Sequence, residues 1–351
     1  MFRVLAATVV LAISVQLTLS ITADAGSTPP RNFYIALGDS YSAGEGLSPV
    51  LPTPTGCDDA PLAFPEIVKQ RLGFTNFRFV ACSGATSAQV DSQLSLLSSK
   101  LLKRAKLTTL TAGGDDLPFS GLVGACLGLT TSPPSATFTY IRGRTTPTGC
   151  AAEINRVLAL LGASVDPATG NITPPSTALA SPLTRPSTIE SRLLELYIHV
   201  LRTEGAITRL RIGPRLIVEQ YPTILGNIGT DNCILAATSL QSTTFPAFDG
   251  LYPAFTASVA TELEQVNSLL QEEIAAVVAD VHRFGYLGVS VATSGSSFAP
   301  IDCQVGGSAD LNGLVLNATT GLPVNNSFHP TAAGQLVLAH AIIVAWKTPV
   351  Q

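Results

Sequence analysis

Residues 33–44 read Phe33-Tyr-Ile-Ala-Leu37-Gly-Asp-Ser40-Tyr-Ser-Ala-Gly44, an apolar run that passes straight into a turn carrying a hydroxyl. A short apolar run bounded by Gly and Asp is the pattern of a strand buried on both faces, as in a parallel sheet covered by helices. In such sheets ligand chemistry gathers at the carboxyl ends of the strands, which is where Ser40 falls. A helix opening there aims backbone N–H groups at any anion formed beside the serine. Ser40 is thus the candidate nucleophile. Gly-Asp-Ser is also an ordinary turn, so the reading depends on finding a partner.

A serine hydroxyl is a weak nucleophile until a neighbouring base takes its proton. The chain has four histidines. His199 and His282 lie within helix-like amphipathic runs and His340 within the apolar run from Leu336 to Trp346, so all three read as packed or surface residues. His329 differs: it stands in Ser327-Phe-His-Pro-Thr-Ala-Ala-Gly334, where Pro330 fixes a loop ahead of an apolar helix. It is the candidate base. The strand–helix elbow of the α/β-hydrolases does not fit, because that turn needs Gly two residues after the serine and this chain has Ser42.

The rest of the pattern alternates strand and helix. Ala63–Leu72 and Ala88–Leu102 have helical spacing, and a long helix is expected from Phe255 to about Phe284, where Val259, Leu263, Val266, Leu269 and Leu270 share a face. Leu107–Ala112, Leu216–Tyr221 and Tyr286–Val291 read as buried strands. Five strands, near 33, 77, 107, 215 and 287, predict a three-layer α/β/α sandwich, flavodoxin-like, with a five-stranded parallel sheet.

Composition bounds the setting. The first 25 residues carry Arg3, an apolar stretch from Val4 to about Leu19, and Ala23-Asp-Ala25, the small-x-small pattern of signal-peptidase cleavage, so residues 1–25 are expected to be a signal peptide and the protein to be secreted. No later segment reaches the roughly 18 uninterrupted apolar residues of a membrane span. A net charge of −4, with 20 Lys plus Arg, gives no basic patch for nucleic acid. A small-molecule or lipid substrate and a monomeric chain are the expectation. No Cys-x-x-Cys or His-x-x-x-His spacing suggests a metal.

Together, Gly-Asp-Ser40-Tyr-Ser and His329-Pro-Thr-Ala-Ala-Gly, at opposite ends of the chain, resemble the SGNH (GDSL) esterase and lipase family. Ala81-Cys-Ser-Gly84-Ala-Thr is similar to the family's second block, whose glycine N–H joins the oxyanion hole, and Leu110-Thr-Ala-Gly-Gly-Asp115-Asp116 to its third. These four blocks occur in the family's order across almost all of residues 26–351, expected to form one domain. The layout is similar to the secreted, disulfide-bearing actinobacterial-type branch. The resemblance implies the sandwich already predicted, a Ser40–His329 acyl-enzyme route on carboxylic esters, an oxyanion hole from the N–H groups of Ser40 and Gly84, and no cofactor.

Two positions depart from the family pattern. Where the third block carries Asn, whose amide donates to the oxyanion, this chain has Asp115; loss of one such donor costs about 10² to 10³ in kcat. Protonation would restore a donor, at the expense of raising the carboxyl pKa by roughly three units. Three residues before the histidine, where many members place a carboxylate to orient the imidazole, stands Asn326, whose backbone carbonyl is expected to take that role. Asp302 and Asp310 are the alternative orienters, though both read more simply as loop residues beside Cys303 and the Gly306-Gly307 turn. Two rival readings stay open: a carbohydrate-acetyl esterase on the same site, differing in substrate, and, favoured by Asp115, a catalytically silent lipid- or glycan-binding protein.

Six cysteines allow fifteen pairings. Joining nearest neighbours, Cys57–Cys82, Cys126–Cys150 and Cys233–Cys303, is the economical choice and the layout the resemblance implies. Residues 118–187, rich in Pro, Gly, Ser and Thr around one helix-like piece at Ala151–Leu161, read as an insertion leaving the third strand beside the mouth of the site.

Overall fold

Five short strands form the centre of the molecule: β1 (Phe33–Ala36), β2 (Asn76–Phe79), β3 (Ala105–Leu110), β4 (Arg215–Glu219) and β5 (Val289–Ala292). They pair in parallel in the order β5-β4-β3-β1-β2. This is the flavodoxin-like order, and it reverses direction between β1 and β3, so a crevice opens there at the carboxyl ends. The computed structural model describes residues 31–48, 57, 59–127, 149–165, 172–173, 188–206, 213–230, 232–236, 254–314, 324 and 326–349. The expected signal peptide and most of the 118–187 stretch lie outside these residues.

Helices cover both faces because the strands are apolar on both. Tyr34, Ile35, Ala36 and Leu37 are all fully buried, as continuous burial of β1 requires. A four-residue helix, α1 (Ser40–Ala43), follows β1; α2 (Phe64–Leu72) precedes β2; α3 (Ser87–Gln93) and α4 (Ser99–Leu102) lie between β2 and β3. After β3 come α5 (Phe119–Leu127), α6 (Cys150–Leu160) and α7 (Ile189–Thr203); α8 (Ala257–Arg283) precedes β5 and α9 (Ala332–Lys347) closes the described chain. α2 packs with α9 on one face, and α3, α7 and α8 form the layer on the other.

The sandwich matches the sequence expectation, with one break. Ala88–Leu102 is not one helix: α3 ends at Gln93, a 3-10 turn spans Leu94–Leu96, and α4 restarts at Ser99. Ser98 causes the restart by accepting a hydrogen bond from the Leu101 N–H, an N-cap that competes with continuation. Gln93 has a second task. Its amide bonds both the N–H and the carbonyl of Gly38 (2.9 and 2.8 Å), pinning the turn that carries Ser40.

Three disulfides join Cys57 to Cys82, Cys126 to Cys150 and Cys233 to Cys303. The first ties the segment after Ser40 to the Gly84 turn, where the Ser83 N–H also donates to the Cys57 carbonyl (3.4 Å). The second staples the end of α5 to the start of α6, which shows that part of the 118–187 stretch is pinned to itself. Among the described residues no helix is long and apolar enough to cross a membrane. Glu219, at the end of β4, is fully buried with neither carboxylate oxygen hydrogen-bonded among the described residues, and burial pushes its carboxyl well above the usual range.

Candidate active site

The turn after β1 is shaped by Gly38. Its φ of +132° belongs to glycine, and a Cβ there would lie 2.4 Å from Ser42 Oγ and 2.9 Å from the Thr111 N–H nitrogen. The chain thus folds tightly enough for Asp39 to cap α1, its carboxylate accepting from the Tyr41 N–H at 3.0 Å. Ser40 becomes the first residue of that helix. Two further donors reach Asp39: the Thr111 hydroxyl at 2.5 Å and the Tyr221 hydroxyl. Burial pushes the Asp39 carboxyl upward, against the pull of those three donors and of the nearby His329.

His329 arrives from the far end of the chain. Its Nε2 lies 2.7 Å from Ser40 Oγ, hydrogen-bond distance for removal of the hydroxyl proton. The loop carrying it is tied to the helix that begins at Ser40: the Tyr41 hydroxyl donates to the Phe328 carbonyl (2.7 Å), and Asn312 holds the His329 carbonyl through its backbone N–H (2.9 Å) and side-chain amide (3.0 Å). Tyr41 also places its ring 5.4 Å from the imidazole.

The orienting group is not the one expected. Nδ1 of His329 meets the Ser327 carbonyl at 3.1 Å, whereas the Asn326 carbonyl accepts the backbone N–H of His329 at 3.3 Å and closes a turn. Phe328 explains the difference. Its φ of +61° turns the chain so that the carbonyl two residues before the histidine, rather than three, comes back to the ring. Asp302 and Asp310 are occupied elsewhere: the first accepts from Asn227 and the Gln304 N–H, the second from the Ala299 N–H.

Opposite the dyad stand the second and third blocks. Gly84 has φ +76°, and a Cβ there would meet nothing within 4 Å, so its backbone borders open space. Among the described residues neither the Ser40 N–H nor the Gly84 N–H is paired with an acceptor. Asp116 is committed to structure: it accepts from the Ser87 N–H and hydroxyl (2.7 and 2.8 Å) and from Arg192 (3.1 Å). Asp115 is not so committed. It keeps solvent contact through the cleft, yet its partial desolvation, together with the charges of Asp39, Asp116 and Glu45, pushes its carboxyl up to about 7.

Ser40, Gly84, Asp115 and His329 all border one cleft of about 580 Å³. Its walls are largely apolar: Leu117 from the turn after β3, Phe119 and Val123 from α5, and Leu263, Val266 and Leu270 from α8. Phe119 sets its ring edge-on to Phe328, beside the histidine, at 6.0 Å. The other histidines stand apart: His199 pairs with Asp91, His282 bonds the Val289 carbonyl, and His340 is exposed on α9. Sequence reasoning missed Tyr221 as a site residue, although it ends the run read as a strand and so falls at a carboxyl end facing the crevice.

No protein-family model matches the chain. It is 34% identical over 119 residues to Lipase 1 of Streptomyces coelicolor, covering 34% of this chain and 43% of that protein, and 33% identical over 94 residues to a lipase of Streptomyces rimosus, covering 26% and 34%. The matched segments therefore span less than half the length of these curated relatives. In three dimensions the chain is similar to phospholipase A1 from Streptomyces albidoflavus NA297 (TM-score 0.60, 23% identity, 91% of this chain and 100% of that one). It is likewise similar to the extracellular lipase from Streptomyces rimosus (TM-score 0.55, 20% identity, 90% and 99%). The fold likeness runs through nine tenths of the chain.

Proposed function

We propose, taking as premise that the chain has the SGNH hydrolase fold, that it is a secreted serine hydrolase cleaving carboxylic esters with fatty acyl groups. The observation that carries this reading is the 2.7 Å contact between His329 Nε2 and Ser40 Oγ at the floor of an apolar cleft. Ser40 Oγ attacks the ester carbonyl as its proton passes to Nε2, and the carbonyl oxygen becomes an oxyanion facing the unpaired N–H groups of Ser40 and Gly84. The intermediate then breaks its bond to the alkoxy oxygen, which leaves as the alcohol with the proton from the imidazolium. Water, deprotonated by His329, releases the acid and restores Ser40. The Ser327 carbonyl fixes the tautomer by accepting the Nδ1 proton, the orienting half of what a carboxylate does.

The apolar walls favour an acyl chain over a sugar acetate, since a cleft lined by Leu, Val and Phe gains free energy by removing methylenes from water at about 0.8 kcal/mol each. Hydrolysis of 4-nitrophenyl esters from acetyl to palmitoyl, set beside acetylated xylo-oligosaccharide, tests this. The reading expects turnover that improves from acetyl to longer chains and little deacetylation of sugar. Activity confined to the sugar acetate would transfer the site to carbohydrate-ester chemistry, and no turnover of any ester would end the enzyme reading. The three disulfides accord with an oxidising destination, and the chain is proposed to act there as a monomer.

A further inference from the structure

We infer that Tyr221 is a positioning residue of this site, one whose hydroxyl fixes where the Gly114–Asp115 turn stands relative to Ser40; the inference rests on the ester-hydrolase reading above. Tyr221 is buried just beyond the end of β4. Its hydroxyl donates to the carboxylate of Asp39, the residue before Ser40, and accepts the N–H of Gly114, the residue before Asp115, at 2.9 Å. One oxygen thus joins the two turns on either side of the point where β1 and β3 diverge, and those turns carry the nucleophile and the anomalous oxyanion residue. The fit is close: a Cβ on Gly114 would lie 2.9 Å from that oxygen.

The oxygen has little freedom, because the segment holding it is clamped to α8. Gln271 donates to the Tyr221 carbonyl (2.8 Å) and accepts from the Gln220 amide (2.6 Å); Asn267 donates to the Pro222 carbonyl (2.9 Å). Glu264 accepts the N–H groups of Ile224 and Leu225 at 3.2 and 2.9 Å. The ring itself rests edge-on against Tyr41 at 5.2 Å. Packing therefore survives replacement by phenylalanine while the bridge does not. Without the hydroxyl, Asp39 keeps its bonds from the Tyr41 N–H and Thr111, but the Gly114 N–H loses its acceptor. The turn bearing Asp115 is then released relative to Ser40. Misplacement of a reacting group by about 1 Å costs up to roughly 100-fold in rate.

The test compares wild type and Tyr221→Phe on 4-nitrophenyl butyrate, reading kcat and KM separately, with the unfolding midpoint measured alongside and both repeated in an Asp115→Ala background. The expected result is a kcat lower by about 10- to 100-fold with KM within about twofold, and a loss of less than about threefold once Asp115 is gone. A folded Tyr221→Phe protein with wild-type kcat, or an equal loss in both backgrounds, would overturn the inference alone. An inactive wild type would overturn the ester-hydrolase reading and this inference with it.

Discussion

Ser40→Ala is expected to lower kcat on any ester the protein turns over by at least about 10⁴-fold, with little change in the unfolding midpoint. On the proposed mechanism the whole chemical step falls on this oxygen, the atom that lies 2.7 Å from His329 Nε2. What would remain is the polarising effect of the Ser40 and Gly84 N–H groups on a bound carbonyl, worth far less without a nucleophile. Stability is spared because the turn is held by other groups: the Asp39 cap, the Gln93 clamp on Gly38, and Thr111 with Ser42 (2.8 Å). Parallel measurement of kcat and thermal unfolding checks both halves, and retention of more than one part in a thousand of the wild-type rate would mean that another residue is the nucleophile.

Asp115→Asn is expected to raise kcat at pH 9 by about 10²-fold while changing it only a few-fold at pH 5.5. The sign follows from the carboxyl, which partial desolvation and the surrounding Asp39, Asp116 and Glu45 push up to about 7. Below that value the protonated acid predominates and can donate to an oxyanion as an amide would. Above it the group is an anion facing a developing negative charge. An amide keeps its donor at every pH, so the advantage of the substitution opens as pH rises through about 7. The imidazole must be neutral to accept the serine proton, so the wild type is caught between a base that needs higher pH and a donor that needs lower pH. A rate ratio independent of pH would show that Asp115 does not face the oxyanion.

Much of this arrangement was legible in the chain because the strands are buried on both faces. Phe33–Leu37 is an apolar run without alternation, Leu107–Ala112 is a β-prone run of Leu, Thr and Ala, and their placement pointed to the sheet and its crevice. Ser40 was legible because it stands at a turn between an apolar run and a helix, and His329 because it stands in a Pro-fixed loop just ahead of an apolar helix. Three features were not. The break after Gln93 is followed by a fresh start at Ser98, whose hydroxyl takes the Leu101 N–H, a local cap that the helical spacing of the apolar residues across it does not reveal. The exchange of Asn326 for Ser327 as orienter follows from the left-handed backbone of Phe328, a conformation phenylalanine does not announce. The bridging role of Tyr221 depends on its lying across a gap between two turns, and sequence spacing carries no record of that gap.

The central claim is that Ser40 becomes acylated by a carboxylic ester. Rapid mixing with 4-nitrophenyl butyrate, acid quenching during the first turnover, and mass analysis of the intact chain and its peptides measures this directly. The account predicts a mass increase of one butyryl group on the peptide containing Ser40, formed together with nitrophenolate and missing from Ser40→Ala. Nitrophenolate release with the butyryl group on another residue, or with no acylated chain at any time in the turnover, would contradict it.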